Sequence, residues 1–216
     1  MQRLSHGLFW IAVLAGASYS LTAWGVVDAG AWTAAWKTSG VALLAMWAAT
    51  RARGADGWLI AAVLALGALG DLLLEVAGFT VGGAAFAAGH AVAIWLYLRN
   101  RRAVLTSSQR LLGWVIAPAT VAISAMLAAP VGKALPTAAY AAFLGVMAAT
   151  AWTSRFPRYR VGLGAVLFVV SDLLIFARMG PLAGSAVPGL LIWPTYFAGQ
   201  ALIAWGVVRM LETEKR

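Results

Sequence analysis

The chain has 216 residues, of which 62% are apolar and 11% charged, with 16 Lys+Arg against seven Asp+Glu and no cysteine. A soluble domain carries roughly a quarter charged residues and under half apolar ones, so an ordinary soluble protein, a disordered chain and a disulfide-stapled secreted domain are all excluded. The net charge of +9 is spread in small clusters between apolar runs. That is the distribution of membrane topology signals rather than of a nucleic-acid surface.

A helix of about 20 apolar residues crosses a bilayer. Runs of that kind start near Leu8, Thr33, Trp58, Val81, Leu111, Ala134, Val161 and Pro188. Eight such spans use about 160 positions, which leaves short loops and predicts a single membrane domain over residues 1–216. The first run follows Arg3 but lacks a convincing small-x-small cleavage site, so it reads as an uncleaved helix. With the N-terminus in the cytoplasm, the inner side receives Arg3, Arg51, Arg53, Arg99, Arg101, Arg102, Arg110, Arg155, Arg158, Arg160, Arg209, Lys215 and Arg216. The outer side receives only Lys37, Lys133 and Arg178. Thirteen against three is a positive-inside bias. The expected class is an all-α polytopic bundle of eight transmembrane helices in a bacterial inner membrane, with both termini cytoplasmic.

Two halves of the chain resemble each other. Gly70-Asp71-Leu72-Leu73-Leu74 in the third run matches Ser171-Asp172-Leu173-Leu174-Ile175 in the seventh. In the fourth, Phe86-Ala87-Ala88-Gly89-His90-Ala91 before Trp95 matches Tyr196-Phe197-Ala198-Gly199-Gln200-Ala201 before Trp205. Ala48–Thr50 and Ala148–Thr150 repeat Ala-Ala-Thr. This predicts a 4+4 parallel repeat, about 1–100 and about 110–210, with a site between the halves. Ala/Leu/Gly-rich helices also resemble one another by composition, but the in-register aspartates favour duplication.

Asp71, Glu75 and Asp172 lie inside apolar runs. Each carboxylate near a helix centre costs about 2.5–3.5 kcal/mol on insertion scales, so three need partners or a purpose. Asp71 and Glu75, four apart, share a helical face, on which Gly67 and Gly78 would permit close approach. His90 and Gln200 come to comparable depth from the opposite direction, with Tyr196 one turn before Gln200. Tyr140 and Lys37 enter from outer helix ends. One polar pocket in the outer half of the membrane is expected to collect all of these.

Blander roles stay open for several of them. His90 can donate to a backbone carbonyl, Gln200 and Ser171 can be interhelical glue, Lys37 can snorkel to the interface, and Glu75 can be a rim charge. Tyr19, Tyr97 and most of the 11 Trp read as interface anchors. No Gly-x-Ser-x-Gly elbow, His-Glu-x-x-His or P-loop is present. Asp71, Glu75, His90 and Asp172 are of types that hold a hard or borderline metal, yet no short ligand motif demands one, and no cofactor is expected.

Gly70-Asp71-Leu72-Leu73-Leu74, Phe86-x-x-x-His90, Phe168-x-x-Ser171-Asp172 and Tyr196-x-x-x-Gln200, in that order on four spans, resemble the lysoplasmalogenase (YhhN-like) family of eight-helix membrane proteins. The likeness runs from about Lys37 to Trp205. Lys37-Thr38 departs from the family's usual Lys-Pro, and Thr195-Tyr196 from its Tyr-Tyr.

The resemblance implies hydrolysis of the vinyl-ether bond of lysoplasmalogens to a fatty aldehyde and glycerophospho-ethanolamine or -choline. The residues suit that chemistry independently. Vinyl ethers hydrolyse by protonation at carbon and attack of water on an oxocarbenium-like cation. One protonated carboxyl and one ionised carboxylate supply the acid and the counter-charge, as in glycosidases. Asp71 and Asp172 are the expected catalytic pair. Glu75, His90, Ser171, Tyr196, Gln200 and Tyr140 are expected to support them, and Lys37 to hold the substrate phosphate. The partners are then a lysophospholipid substrate and membrane lipids, not nucleic acid. A proton-coupled transporter or lipid translocase uses paired midplane carboxylates as well, and a hydrolase of another ether lipid is the nearer alternative.

Overall fold

The computed structural model describes residues 2–214, with side chains from Gly7 onward. Arg3's side chain, Lys215 and Arg216, all counted in the charge bias, lie outside what is described. The elements are α1 (Gln2–Ser18), α2 (Ser20–Ala23), α3 (Thr33–Arg51), α4 (Ala55–Val76), α5 (Phe79–Arg99), α6 (Ser107–Ala128), α7 (Ala134–Thr153), α8 (Leu163–Met179) and α9 (Ala186–Thr213). A 3₁₀ turn, Ala129–Val131, ends α6, and a π turn, Arg158–Gly162, leads into α8. Among the described residues there is no β-strand, only one isolated bridge between Arg101 and Ser154.

Each apolar run becomes one long helix, and α2 is an addition where the first run breaks at Tyr19. Six helices, α4 to α9, are long and apolar enough to cross a membrane, counting the 3₁₀ and π turns with α6 and α8. The other two fall short for different reasons. The apolar part of the first run, Gly7–Ala23, is only 17 residues long. Helix α3 has 19 residues but spends six of its positions on Thr33, Lys37, Thr38, Ser39, Thr50 and Arg51. At the other extreme α9 runs for 28 residues and takes in Glu212.

Sequence neighbours pack as antiparallel pairs: α3 with α4, α4 with α5, α6 with α7, and α8 with α9. The two halves meet where α5 packs on α7 and where α9 packs on α3 and α4. One continuous apolar cluster threads them, from Phe9 on α1 through Trp47, Leu64 and Leu96 to Phe168 and Val207.

At the helix ends carrying most arginines, Asn100 bridges the halves. It donates to Asp56 Oδ2 at 3.0 Å and accepts from Arg155 Nε at 2.7 Å, while Arg155 N–H donates to Asn100 O at 2.8 Å. Arg51 pairs with Glu212 and Arg155 with Glu214, tying the end of α9 to the same side.

Helices α8 and α9 cross at Gly164 and Gly199. A Cβ on Gly199 would sit 2.6 Å from Gly164 O, and one on Gly164 2.7 Å from Gly199 O. Backbones this close need glycine on both sides. Gly199→Leu is therefore expected to separate the helices, costing about 1–3 kcal/mol as overpacking. A detergent melt lowered by several degrees is the expected result, and an unchanged melt would contradict the close crossing.

Candidate functional site

Asp71 lies five residues before the end of α4 and Asp172 seven before the end of α8, so both are nearer the Lys37 end of the bundle than the Arg155 end. Their carboxyl groups line one cavity with Lys37, Tyr140, Ser171 and Tyr196. Only 2% of Asp71 and 5% of Asp172 is exposed, which is rare for a carboxylate unless it is paired. Each has one phenol partner. Tyr196 Oη donates to Asp71 Oδ2 at 2.8 Å, and Tyr140 Oη donates to Asp172 Oδ2 at 2.7 Å.

Each phenol in turn meets a side chain from behind. Gln200 Nε2 donates to Tyr196 Oη at 3.3 Å, and His90 Nε2 lies 3.3 Å from Tyr140 Oη. The two chains, Asp71–Tyr196–Gln200 and Asp172–Tyr140–His90, thus run side by side from the cavity into the bundle.

The local sequence explains the aim of these groups. Tyr196 and Gln200 are one turn apart on α9 and face α4, where Gly67 leaves room. A Cβ there would lie 2.8 Å from Gln200 Nε2. Pro194 has no N–H to give Leu190 O, and the Trp24 indole donates to that carbonyl instead, at 3.3 Å. Ser171 donates to Ile192 O at 3.0 Å, which fastens α8 to α9 at the level of Asp172. Trp193 is anchored to α1 by donating to Gly16 O at 2.7 Å.

The rest of the cavity wall is apolar, with Phe79, Phe86, Ile175, Phe176, Ile192 and Trp193. Phe86 and Phe168 stand edge-on to Tyr196, at 5.9 and 5.0 Å between ring centroids. The cavity has a volume of about 70 Å³, room for a few waters or a narrow chain.

The expected single pocket is instead three compartments. Glu75 turns outward: it is exposed, takes the Lys37 ammonium on Oε1 at 2.7 Å, and lines an outer vestibule rather than the carboxylate cavity. His90 and Gln200 line a separate inner cavity of about 20 Å³ with Gly67, Gly89 and Tyr97. Gly78 does not share the Asp71 face; it turns the chain between α4 and α5 at φ +85°, a left-handed conformation that glycine adopts without a Cβ penalty. Among the described residues no three His, Asp or Glu side chains converge as a metal ligand set.

Aromatic placement also departs from expectation. Tyr97 is not an interface anchor: it is wholly buried, it lines the inner cavity, and its hydroxyl has no hydrogen-bond partner among the described residues. Tyr19 is half-buried between Trp36 and Trp193. Six Trp are exposed as anchors should be, whereas Trp47 and Trp193 are core. Trp193, which lines both the carboxylate cavity and the vestibule, escaped the sequence reading. Its spacing of three from Tyr196 is the signal that shared a face with the site.

Fold and site together define a polytopic helical membrane protein with two buried, phenol-bonded carboxylates on one cavity. Residues 32–207 match the YhhN family, and the chain belongs to that family. No curated protein and no solved structure matches it.

Proposed function

We propose that this chain is an eight-span membrane hydrolase that cleaves the vinyl-ether bond of lysoplasmalogens, with Asp71 and Asp172 as its catalytic pair. The observation that carries this reading is the meeting of two buried carboxyls, from corresponding positions of the two halves, on one largely apolar cavity. Two like charges in such surroundings are costly to hold together, so we take one carboxyl as protonated and the other as charged. That is the pair an oxocarbenium reaction uses.

In the first step the protonated carboxyl gives its proton to the alkenyl carbon beta to oxygen. The C=C pair forms the new C–H bond, and the ether oxygen shares the positive charge with the adjacent carbon. The ionised carboxylate faces that charge. Water then adds to the cationic carbon and loses a proton to a carboxylate, giving a hemiacetal. Its C–O bond to glycerol breaks as the hydroxyl becomes a carbonyl and the glycerol oxygen takes a proton. The products are a fatty aldehyde and a glycerophospho-ethanolamine or -choline.

Tyr140 and Tyr196 hold the carboxyls in place, backed by His90 and Gln200. Ser171 keeps α8 against α9, while Lys37 and Glu75 stand at the entrance. The apolar wall suits the alkenyl chain.

Charge supports the orientation. Ten of the described arginines, from Arg51 to Arg209, lie at or near one set of helix ends, and Lys37, Lys133 and Arg178 at the other. The first set is assigned to the cytoplasm of a bacterial inner membrane, so the site opens outward. Pairing of α1 with α3 and of α6 with α7 supports counting α1 and α3 as spans of a 4+4 repeat, as does the likeness of the α5–α7 and α9–α3 contacts.

Purified protein incubated with a lysoplasmalogen should release aldehyde, read by coupled dehydrogenase absorbance, and should leave the saturated alkyl-ether analogue intact. A second reading, proton-coupled transport, draws on the inner cavity, which extends polar groups from His90 toward Tyr97. No aldehyde release together with proton movement into liposomes would replace hydrolysis by transport. Release from other ether lipids at an equal rate would widen the substrate.

A further inference from the structure

Outside the carboxylate cavity lies a wider vestibule of about 480 Å³, within the range of small-molecule clefts. Six residues line both spaces, among them Lys37, Phe79 and Trp193, so the two are successive parts of one entry. The vestibule carries three charged side chains: Lys37, Glu75 and Arg178. Lys37 and Glu75 neutralise each other at 2.7 Å. Arg178 is exposed, and among the described residues no carboxylate lies within ion-pair distance of it.

This changes where an anion would go. Lys37, expected to hold a phosphate, already faces a carboxylate and its side chain is only 15% exposed. The uncommitted cation is the guanidinium of Arg178, whose planar fork of donors matches phosphate oxygens. Glu75 offers the opposite charge: its side chain is 40% exposed, Oε1 is occupied by Lys37, and Oε2 has no partner among the described residues. The neutral ion pair and the spare guanidinium leave the lining at +1, with one anion-accepting and one cation-accepting position in the same vestibule. An arginine in the last turn of α8 also complements the helix dipole, but that role does not require a cavity or an open carboxylate oxygen lining it.

We infer that the vestibule is a headgroup subsite for a phosphodiester-linked primary amine, with the phosphate on Arg178 and the ammonium on the free oxygen of Glu75. Resting on the hydrolase reading, this assigns Arg178 and Glu75, at the outer rim, as the residues that hold the headgroup of the single-chain phospholipid substrate. It also makes the released glycerophosphoamine a ligand of the same subsite.

Because that product is water-soluble, the subsite is testable by binding alone. Titration calorimetry of the full-length protein in detergent with sn-glycero-3-phosphoethanolamine should give saturable binding. Arg178→Gln should weaken it at least tenfold with at most a small change in melting temperature, since among the described residues Arg178 makes no ion pair and its place at the end of α8 contributes little. Glu75→Gln should weaken glycerophosphoethanolamine by more than it weakens sn-glycerol 3-phosphate, which lacks the amine. Full binding by Arg178→Gln, or no binding by the parent, overturns the inference. Inorganic phosphate binding as tightly as glycerophosphoethanolamine overturns the headgroup assignment and leaves a plain anion site. Normal headgroup binding in a protein that releases no aldehyde upholds the subsite and sinks the hydrolase reading instead.

Discussion

Asp71→Asn is expected to lower turnover on a lysoplasmalogen at least about a hundredfold, and Asp172→Asn by a similar factor. Asparagine keeps the shape of the side chain and still accepts the phenol bond, at 2.8 Å from Tyr196 or 2.7 Å from Tyr140. What it removes is the proton donor at one position or the counter-charge at the other. General acid catalysis alone contributes about 10²–10⁴ in rate, so either loss should dominate the kinetics while the protein stays folded. Tyr196→Phe and Tyr140→Phe should lose less, because they only loosen the carboxyl. Aldehyde release by an Asp71→Asn protein at the parental rate would end the two-carboxylate mechanism.

The second large effect is expected from filling the cavity. Gly83, on α5, lines the carboxylate cavity, and a Cβ built there meets nothing within 4 Å. Gly83→Leu should therefore fold without strain, and its side chain should occupy space that the alkenyl group needs. In a cavity of about 70 Å³ that side chain leaves little room, so kcat/KM should fall at least tenfold with the melting temperature kept or raised. The contrast with Gly199→Leu is diagnostic, since the one variant should lose activity without stability and the other should lose both. Parental kcat/KM in Gly83→Leu would mean that the substrate does not enter between α4, α5 and α8.

Much of the fold was legible because a bilayer reads sequence locally. A run of apolar residues long enough to cross it must be helical, since each backbone group needs a partner where water is absent. The long helices therefore appear where the apolar runs stand. Asp71 and Asp172 were legible for the same reason, as carboxylates in apolar runs are costly wherever the helices go. Span adequacy was less legible at α1 and α3. The break at Tyr19 and the polar residues along α3 interrupt their apolar lengths without disturbing the helical pattern that announced them.

The tertiary structure decided which polar groups meet. Depth along a helix follows from residue number at 1.5 Å per residue, yet His90 and Gln200, expected at the level of the aspartates, line the inner cavity behind the phenols, with Gln200 opposite Gly67, one turn inward of Asp71. The direction each side chain faces depends on how helices rotate and cross, which is set by distant glycines such as Gly164 and Gly199 and by Gly67 opposite Gln200. Hence His90 backs Tyr140 instead of entering the carboxylate cavity, and Tyr97 is buried beneath it. Lys37 and Glu75, 38 residues apart on neighbouring helices, pair at the rim because α3 and α4 are antiparallel neighbours that bring both to the same end. Local hydropathy determined the helices and the costly carboxylates, and the packing of one helix on another decided what those carboxylates face.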